Sequence, residues 1–115
     1  MDAANLEKAA RFFAEQIYLS ELCKTYRAAK KKIDDSDELS GLVKEFKAHR
    51  LEYELKKMSD APAPFDEERR VAVLYSKLIM NDDVKDFFHA ERQLFNCASN
   101  IQDIIAQAFG ADINV

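Results

Sequence analysis

Apolar side chains recur every three or four residues along most of the chain, which is the spacing of one face of an α-helix. The pattern predicts a first helix from about Asn5 to Tyr18, capped by Asp2, and a second helical segment up to about Ile33. Ser20 lies between them as a break and a new cap. The pattern leaves open whether the two segments are one bent helix or two.

Polar residues separate a third helix from its neighbours. A cluster of four polar residues ends at Asp37, which is predicted to cap a helix that ends near Met58. The run that follows predicts a loop, because Pro62 and Pro64 cannot both lie inside a helix.

Two more helices are predicted after that loop. Asp66 is predicted to cap the fourth helix. The polar run 81–83 is predicted to end that helix and to cap the last one. The buried side of the fourth helix is predicted to contain Val71, Leu74 and Leu78. The last helix is predicted from about Asp83 to Phe109, and Gly110 supplies its C-terminal stop. About 27 residues of helix span roughly 40 Å, which is long for a chain of this size.

The last helix carries more apolar surface than one neighbouring helix needs. Its seam alternates steps of three and four residues through Val84, Phe87, Glu91, Leu94, Ala98, Ile101, Ile105 and Ala108. Further apolar residues flank the seam, and the predicted partner interface consists of Phe88, Phe95, Cys97, Ile104 and Phe109. Either the other helices cover this wide arc, or a second chain buries part of it.

Composition supports one fold class, an all-α antiparallel bundle of about five helices with a long C-terminal helix. Two Gly and two Pro are too few for the turns of a β-sandwich or barrel. A length of 115 residues predicts a single domain over 1–115.

The net charge of −4 gives no overall attraction to nucleic acid or to an anionic membrane. No secretory signal or spanning stretch is visible, so the expected location is the cytoplasm.

The sequence shows no catalytic motif, and we expect the protein not to be an enzyme. The only imidazoles, His49 and His89, lie outside any recognisable nucleophile motif. Gly41 and Gly110 are isolated, so neither belongs to a glycine-rich phosphate-binding loop. We therefore expect no small-molecule substrate, and no cofactor or metal of the chain's own.

Glu91 is an acidic residue at a seam position, where a carboxylate is costly unless it is paired. It could be solvated at the interface edge, or form a structural ion pair with His49 or Arg50.

Two alternative functions stay open. One is a metal-binding bundle built on Glu45, His49, Asp86, His89 and Glu91. The other is direct RNA binding through Lys30–Lys32 and Arg69–Arg70, although the acidic residues after the lysines indicate a solvated face.

Several stretches, in order, match a family of small bacterial helical proteins. They are 20–30, 37–46, Val84–Leu94 with the pattern V-x-x-F/Y-x-x-A-E-x-x-L, and Ile101–Ile105 with the pattern I-x-x-I-I. Across nearly its whole length the chain resembles the YlbF/YmcA family. The resemblance implies a non-catalytic regulator linked to competence, sporulation and biofilm formation. It also implies a complex with related family members that assists the endoribonuclease RNase Y in mRNA maturation.

Two features depart from the family's pattern. Asp82 follows Asn81 where the family has Pro, and no cysteine-bearing tail follows the last helix. Some family members are associated with iron–sulfur clusters, and Cys97 could contribute one ligand to a cluster shared with partners. The resemblance implies protein partners, in a homo-oligomer or a hetero-complex. Cys23 and Cys97 are otherwise expected to be buried free thiols.

Overall fold

The computed structural model describes residues 2–59 and 65–110, without the side chain of Phe65. These residues form five α-helices and no β-strand, which confirms the predicted all-α fold. The helices are α1 (Ala3–Leu19), α2 (Glu21–Asp34), α3 (Asp37–Met58), α4 (Phe65–Leu78) and α5 (Asp82–Phe109). The loop predicted from Pro62 and Pro64 lies outside the described residues.

Ser20 separates α1 from α2, so the first two segments are two helices. Its backbone is extended, with ψ of 152°. Its hydroxyl donates to the carbonyl oxygen of Ile17 at 2.6 Å and accepts from the backbone N–H of Cys23 at 3.2 Å. One side chain therefore satisfies a carbonyl at the end of α1 and an N–H at the start of α2.

Two of the predicted caps are wrong. Besides the Ser20 cap of α2, three other predicted helix ends are confirmed. Ser36, not Asp37, caps α3, because its side chain accepts from the N–H of Leu39 at 3.2 Å. Asp66 lies inside the first turn of α4, which already begins at the preceding residue. The confirmed features are the Asp2 cap of α1, the Asn81 cap of α5 and the stop at Gly110 (φ 111°).

The helices group into two compact units. The terminal unit comprises the chain up to Ala28 and the chain from His89 onward, and the central unit comprises Ala29–Phe88. Both α2 and α5 contribute residues to each unit. The single domain predicted from the chain length stays a prediction.

The central unit has a core of large apolar side chains. Its buried members are Ile33, Val43, Phe46, Leu78, Val84, Phe87 and Phe88. The rings of Phe46, Tyr75 and Phe88 form a triangle, with centroids 5.6–5.9 Å apart. Offset and tilted aromatic contacts at these distances add to the stabilisation from burial itself.

An ion pair joins α3 to α4 in the central unit. The Lys56 ammonium donates to a carboxylate oxygen of Glu67. The other oxygen of Glu67 is buried and has no hydrogen-bond partner among the described residues. The hydrogen bond from Lys56 to Glu67 raises the pKa of Lys56 above its ordinary value.

Apart from Glu91, the terminal unit buries only small side chains among the described residues. Its buried residues are Cys23, Ala90, Glu91 and Ala106. No residue of α1 is buried, and Ile17 alone within that helix is half-buried. The unit therefore lacks a core of large side chains comparable to that of the central unit.

Candidate protein-binding face

Large apolar side chains are exposed on two helices of the terminal unit, and we call this set the open face. It consists of Leu6, Phe12, Phe13 and Leu19 of α1 with Phe95, Ile104, Ile105 and Phe109 of α5. Their exposed fractions run from 45% at Phe13 to 74% at Phe109. Exposed apolar residues that recur on helices in this way are typical of surfaces that another protein covers.

The α1 part of the open face was not among the predicted interface residues. The predicted apolar side of α1 is exposed at Leu6 and Phe13, and only its last member, Ile17, is half-buried. An isolated helix of this length is only marginally stable in water without packing. The adjacent pair Phe12 and Phe13 was the available signal, since one narrow buried stripe does not accommodate both.

The base of α1 is anchored to α2. The Arg27 guanidinium donates to the carbonyl oxygen of Tyr18 at 2.8 Å and lies 4.0 Å from the centroid of the Tyr18 ring. Together with the Ser20 hydrogen bonds, these contacts set the direction in which α1 leaves α2. The chain thus positions α1 at its C-terminal end while leaving its apolar side open.

The predicted interface residues of α5 divide into three groups. Phe95, Ile104 and Phe109 are exposed, with at least 60% of each residue accessible. Cys97 is half-buried. Phe88 is buried inside the central unit, where its ring packs against Phe46 and Tyr75. Phe88 therefore does not belong to an exposed interface.

The predicted seam of α5 changes along its length. Val84, Phe87 and Glu91 are buried, as a packed seam requires. Farther along, Ile105 is 46% exposed and Ala108 is exposed. The C-terminal part of α5 therefore carries a seam that the described residues do not cover.

The terminal unit contains a small apolar cavity with both cysteines in its wall. Its volume is about 190 Å³, and it is lined by Ile17, Leu22, Cys23, Leu94, Cys97, Ala98, Ile101 and Gln102. Both thiols are free, and Cys23 is buried. An iron–sulfur cluster is usually held by four cysteine thiolates. The two cysteines of this sequence do not fit a cluster held by this chain alone.

Residues of both alternative functions pair with side chains of their own helix or its end. His49 lies 3.9 Å from Glu45, and the described residues contain no group of three His, Cys, Asp or Glu side chains placed to share a metal ion. Lys30 and Lys31 pair with acidic side chains one turn later, at 2.7 and 2.8 Å. These ion pairs reduce the positive charge available to a phosphate backbone.

Glu91 is buried, at 8% exposed, so the solvated alternative is wrong. Its predicted ion pair with His49 or Arg50 stays a prediction. In the central unit, the Arg50 guanidinium lies 5.4 Å from the centroid of the Phe46 ring.

A search of the described residues for helices long and apolar enough to cross a bilayer finds none.

The helices and the open face place this chain among small all-helical proteins that carry uncovered apolar helix surfaces. The chain belongs to the YlbF/YmcA family. The family model described as "Control of competence regulator ComK, YlbF/YmcA" matches residues 6–109. This confirms the resemblance on which the sequence interpretation relied.

Individual relatives agree with the family assignment. A UPF0342 protein of Caldicellulosiruptor saccharolyticus is 29% identical over 85 residues, which are 74% of this chain and 71% of that protein. Regulatory protein YlbF of Bacillus subtilis is 25% identical over 117 residues, covering 100% of this chain and 78% of that one. The family is thus one with a named regulator among its members.

A solved structure shares the fold. It is the X-ray crystal structure of Bacillus subtilis RicA in complex with RicF. The likeness has a TM-score of 0.64 at 24% identity, and covers 97% of this chain and 99% of that one. The likeness supports the helical fold over the length of the chain.

Proposed function

We propose that this protein is a non-catalytic, cytoplasmic regulatory adaptor that binds other proteins through its open face. The observation that carries the proposal is the exposure of eight large apolar side chains on α1 and α5 of the terminal unit. Burying one such side chain fully contributes about 1.5–3 kcal/mol. Several of them provide enough free energy to offset the entropic cost of association.

The proposed partner is a related chain of the same family, in a homo-oligomer or a hetero-complex. RicA, which shares this fold, is in complex with RicF in its crystal structure. An amphipathic helix that leaves its apolar side open fits the corresponding apolar side of another helical chain. The aromatic rings of Phe13 and Phe95 are suited to the centre of such an interface, where aromatic residues contribute most.

We propose further that the assembled adaptor modulates RNase Y-dependent mRNA processing and, through it, developmental regulation. The support is membership of the YlbF/YmcA family, whose description names control of the competence regulator ComK. No small-molecule substrate and no cofactor of the chain's own is part of this proposal.

The first test places a carboxylate in the open face. Phe13→Glu and Phe95→Glu should weaken binding to a related family member from the same bacterium by about 100-fold, because a buried unpaired charge is costly. Light scattering of the chain alone and of the mixture measures the assembly. The matched control is Leu51→Glu, since Leu51 of α3 is as exposed as Phe95, at 60%.

Far-UV circular dichroism should show the same helicity for all three variants. Equal loss of assembly in the Leu51→Glu control would contradict the open face as the binding surface. A wild-type chain that stays monomeric with every family member of its bacterium would contradict the adaptor function itself.

The proposed role in RNase Y-dependent mRNA processing has its own test in the cell. A strain without the chain should accumulate unprocessed RNase Y target transcripts, and Leu51→Glu should restore processing while Phe95→Glu should not. Mapping of transcript 5′ ends measures this. Normal processing in the strain that lacks the chain would rule out the RNase Y role while leaving protein binding intact.

A further inference from the structure

The outer side of α4 carries a second apolar surface, separate from the open face and inside the central unit. Six residues, the last of them two positions beyond the end of α4, line a shallow groove of about 300 Å³. We call them the α4 stripe: Arg69, Ala72, Val73, Ser76, Lys77 and Met80. The inward side of the same helix is formed by other residues, among them Leu74 and the buried Leu78. Helix α4 therefore has an apolar surface on two sides, of which the chain covers one.

The α4 stripe is apolar in its middle, at Val73, and at its C-terminal end, at Met80. Val73 is 45% exposed and Met80 is 82% exposed. The Ser76 hydroxyl donates to the carbonyl oxygen of Ala72 at 2.9 Å, so its hydrogen-bonding need is met within the helix. An apolar ligand group can therefore cover this stretch without leaving a buried hydroxyl unpaired.

Val73 has a cation one helical turn away on either side, Arg69 before it and Lys77 after it. Arg69 and Lys77 are eight residues apart, which is about 12 Å along a helix. Both are exposed, and the ion pairs formed by the described residues include neither of them. The two positive charges are thus available to carboxylates of a ligand at that spacing.

These charges decide between the candidate occupants. A second copy of α4, antiparallel about Val73, would bring Arg69 opposite Lys77, and like charges at such positions repel. Nucleic acid is disfavoured because the stripe has no aromatic ring for base stacking and the chain carries a net charge of −4. A ligand helix with an apolar row and two acidic residues eight positions apart matches the stripe in polarity and charge.

We infer that the α4 stripe binds an acidic amphipathic helix of a partner protein, with apolar side chains on Val73 and Met80 and carboxylates on Arg69 and Lys77. This surface is additional to the open face. It gives the chain a binding site in each unit, so that one molecule can hold two different proteins.

A fluorescence anisotropy titration of the 115-residue chain tests this inference. The probe is a labelled synthetic helix of about 20 residues, long enough to populate the helical state, with one leucine stripe and two glutamates eight positions apart. A control peptide carries lysines in place of the glutamates. We expect the acidic peptide to bind at least about tenfold more tightly than the lysine peptide.

Variants locate the binding. Arg69→Glu/Lys77→Glu should reverse the preference between the two peptides, and Val73→Glu should weaken both. Lys32→Glu/Lys44→Glu makes the same change in net charge elsewhere in the central unit and should leave the preference unchanged. Phe95→Glu should also leave it unchanged, which separates this surface from the open face.

Three results would overturn the inference. The first is equal binding of the acidic and lysine peptides. The second is tighter binding of a single-stranded RNA oligonucleotide that is lost in Arg69→Glu/Lys77→Glu. The third is a fall in solution mass caused by Val73→Glu, which would assign the stripe to a second copy.

Discussion

The central and terminal units use the same helical pattern, but among the described residues only the central unit buries large apolar side chains with it. The central unit packs Phe46, Tyr75 and Phe88 against one another and buries Val84 completely. The terminal unit has aromatic residues at the same kind of helical spacing, yet Phe13 and Phe95 are exposed. Helical periodicity therefore identifies apolar residues that favour burial. Only the packing shows whether the same chain buries them.

This difference separates folding from binding. Residues that fill the central unit stabilise the chain on its own. Residues of the open face contribute less to the isolated chain, because a large part of each residue stays in water in the folded state as well. Variants whose effects on stability and on assembly are measured in parallel test this difference between the two units.

Phe46→Ala should have the largest effect on stability. Removing a buried ring leaves a cavity and should cost about 3–5 kcal/mol, a large part of the stability of a typical domain. Chemical denaturation measures it. Phe95→Ala is the matched change in the terminal unit and should cost less than about 0.5 kcal/mol while still weakening assembly. Comparable destabilisation by both variants would remove the distinction between the units.

Ser20→Ala should have an intermediate effect. It removes the hydroxyl that serves the ends of both α1 and α2, and the loss of such a cap costs about 1 kcal/mol. Amide hydrogen exchange should show faster exchange in α1 and the first turn of α2, with α3 and α4 unchanged. An equal acceleration in α3 would mean that the junction supports the whole chain rather than the presentation of α1.

The ion pair between Lys56 and Glu67 should have the smallest effect, and it depends on pH. The pKa of Lys56 is raised in the folded chain, so the pair stabilises fully below the ordinary value of 10.5. That contribution is lost as pH rises through the folded-state pKa. The melting temperature of Lys56→Met should lie slightly below wild type at neutral pH and converge with it in strong alkali. A constant difference between the two curves at all pH values would show that Lys56 acts through packing alone.

Most of the fold could be predicted from the sequence, because the apolar spacing and the scarcity of glycine and proline act locally. The predicted cap of α3 was wrong by one residue, also for a local reason. Ser36 and Asp37 are adjacent, and either side chain is suited to capping, so only the backbone angles decide which residue is the first in the helix.

The binding face could be predicted in part. Phe95, Ile104 and Phe109 are exposed on α5 as expected, since they flank the seam. Phe88 flanks the seam too, but its burial depends on Phe46 of α3 and Tyr75 of α4, which no pattern within α5 reveals. The α1 part was missed for the converse reason, because an amphipathic pattern alone predicts burial and does not identify the chain that covers it.

The exposure of α1 also has a consequence for the amount of protein in the cell. In a molecule without its partner, no residue of α1 is buried, and Phe12 and Phe13 are exposed to water. Proteases and chaperones recognise segments of this kind. We expect surplus copies to be degraded faster than assembled ones, so that the abundance of this chain follows that of its partner. Pulse-chase measurement of its half-life in a strain lacking the partner tests this, and an unchanged half-life would count against it.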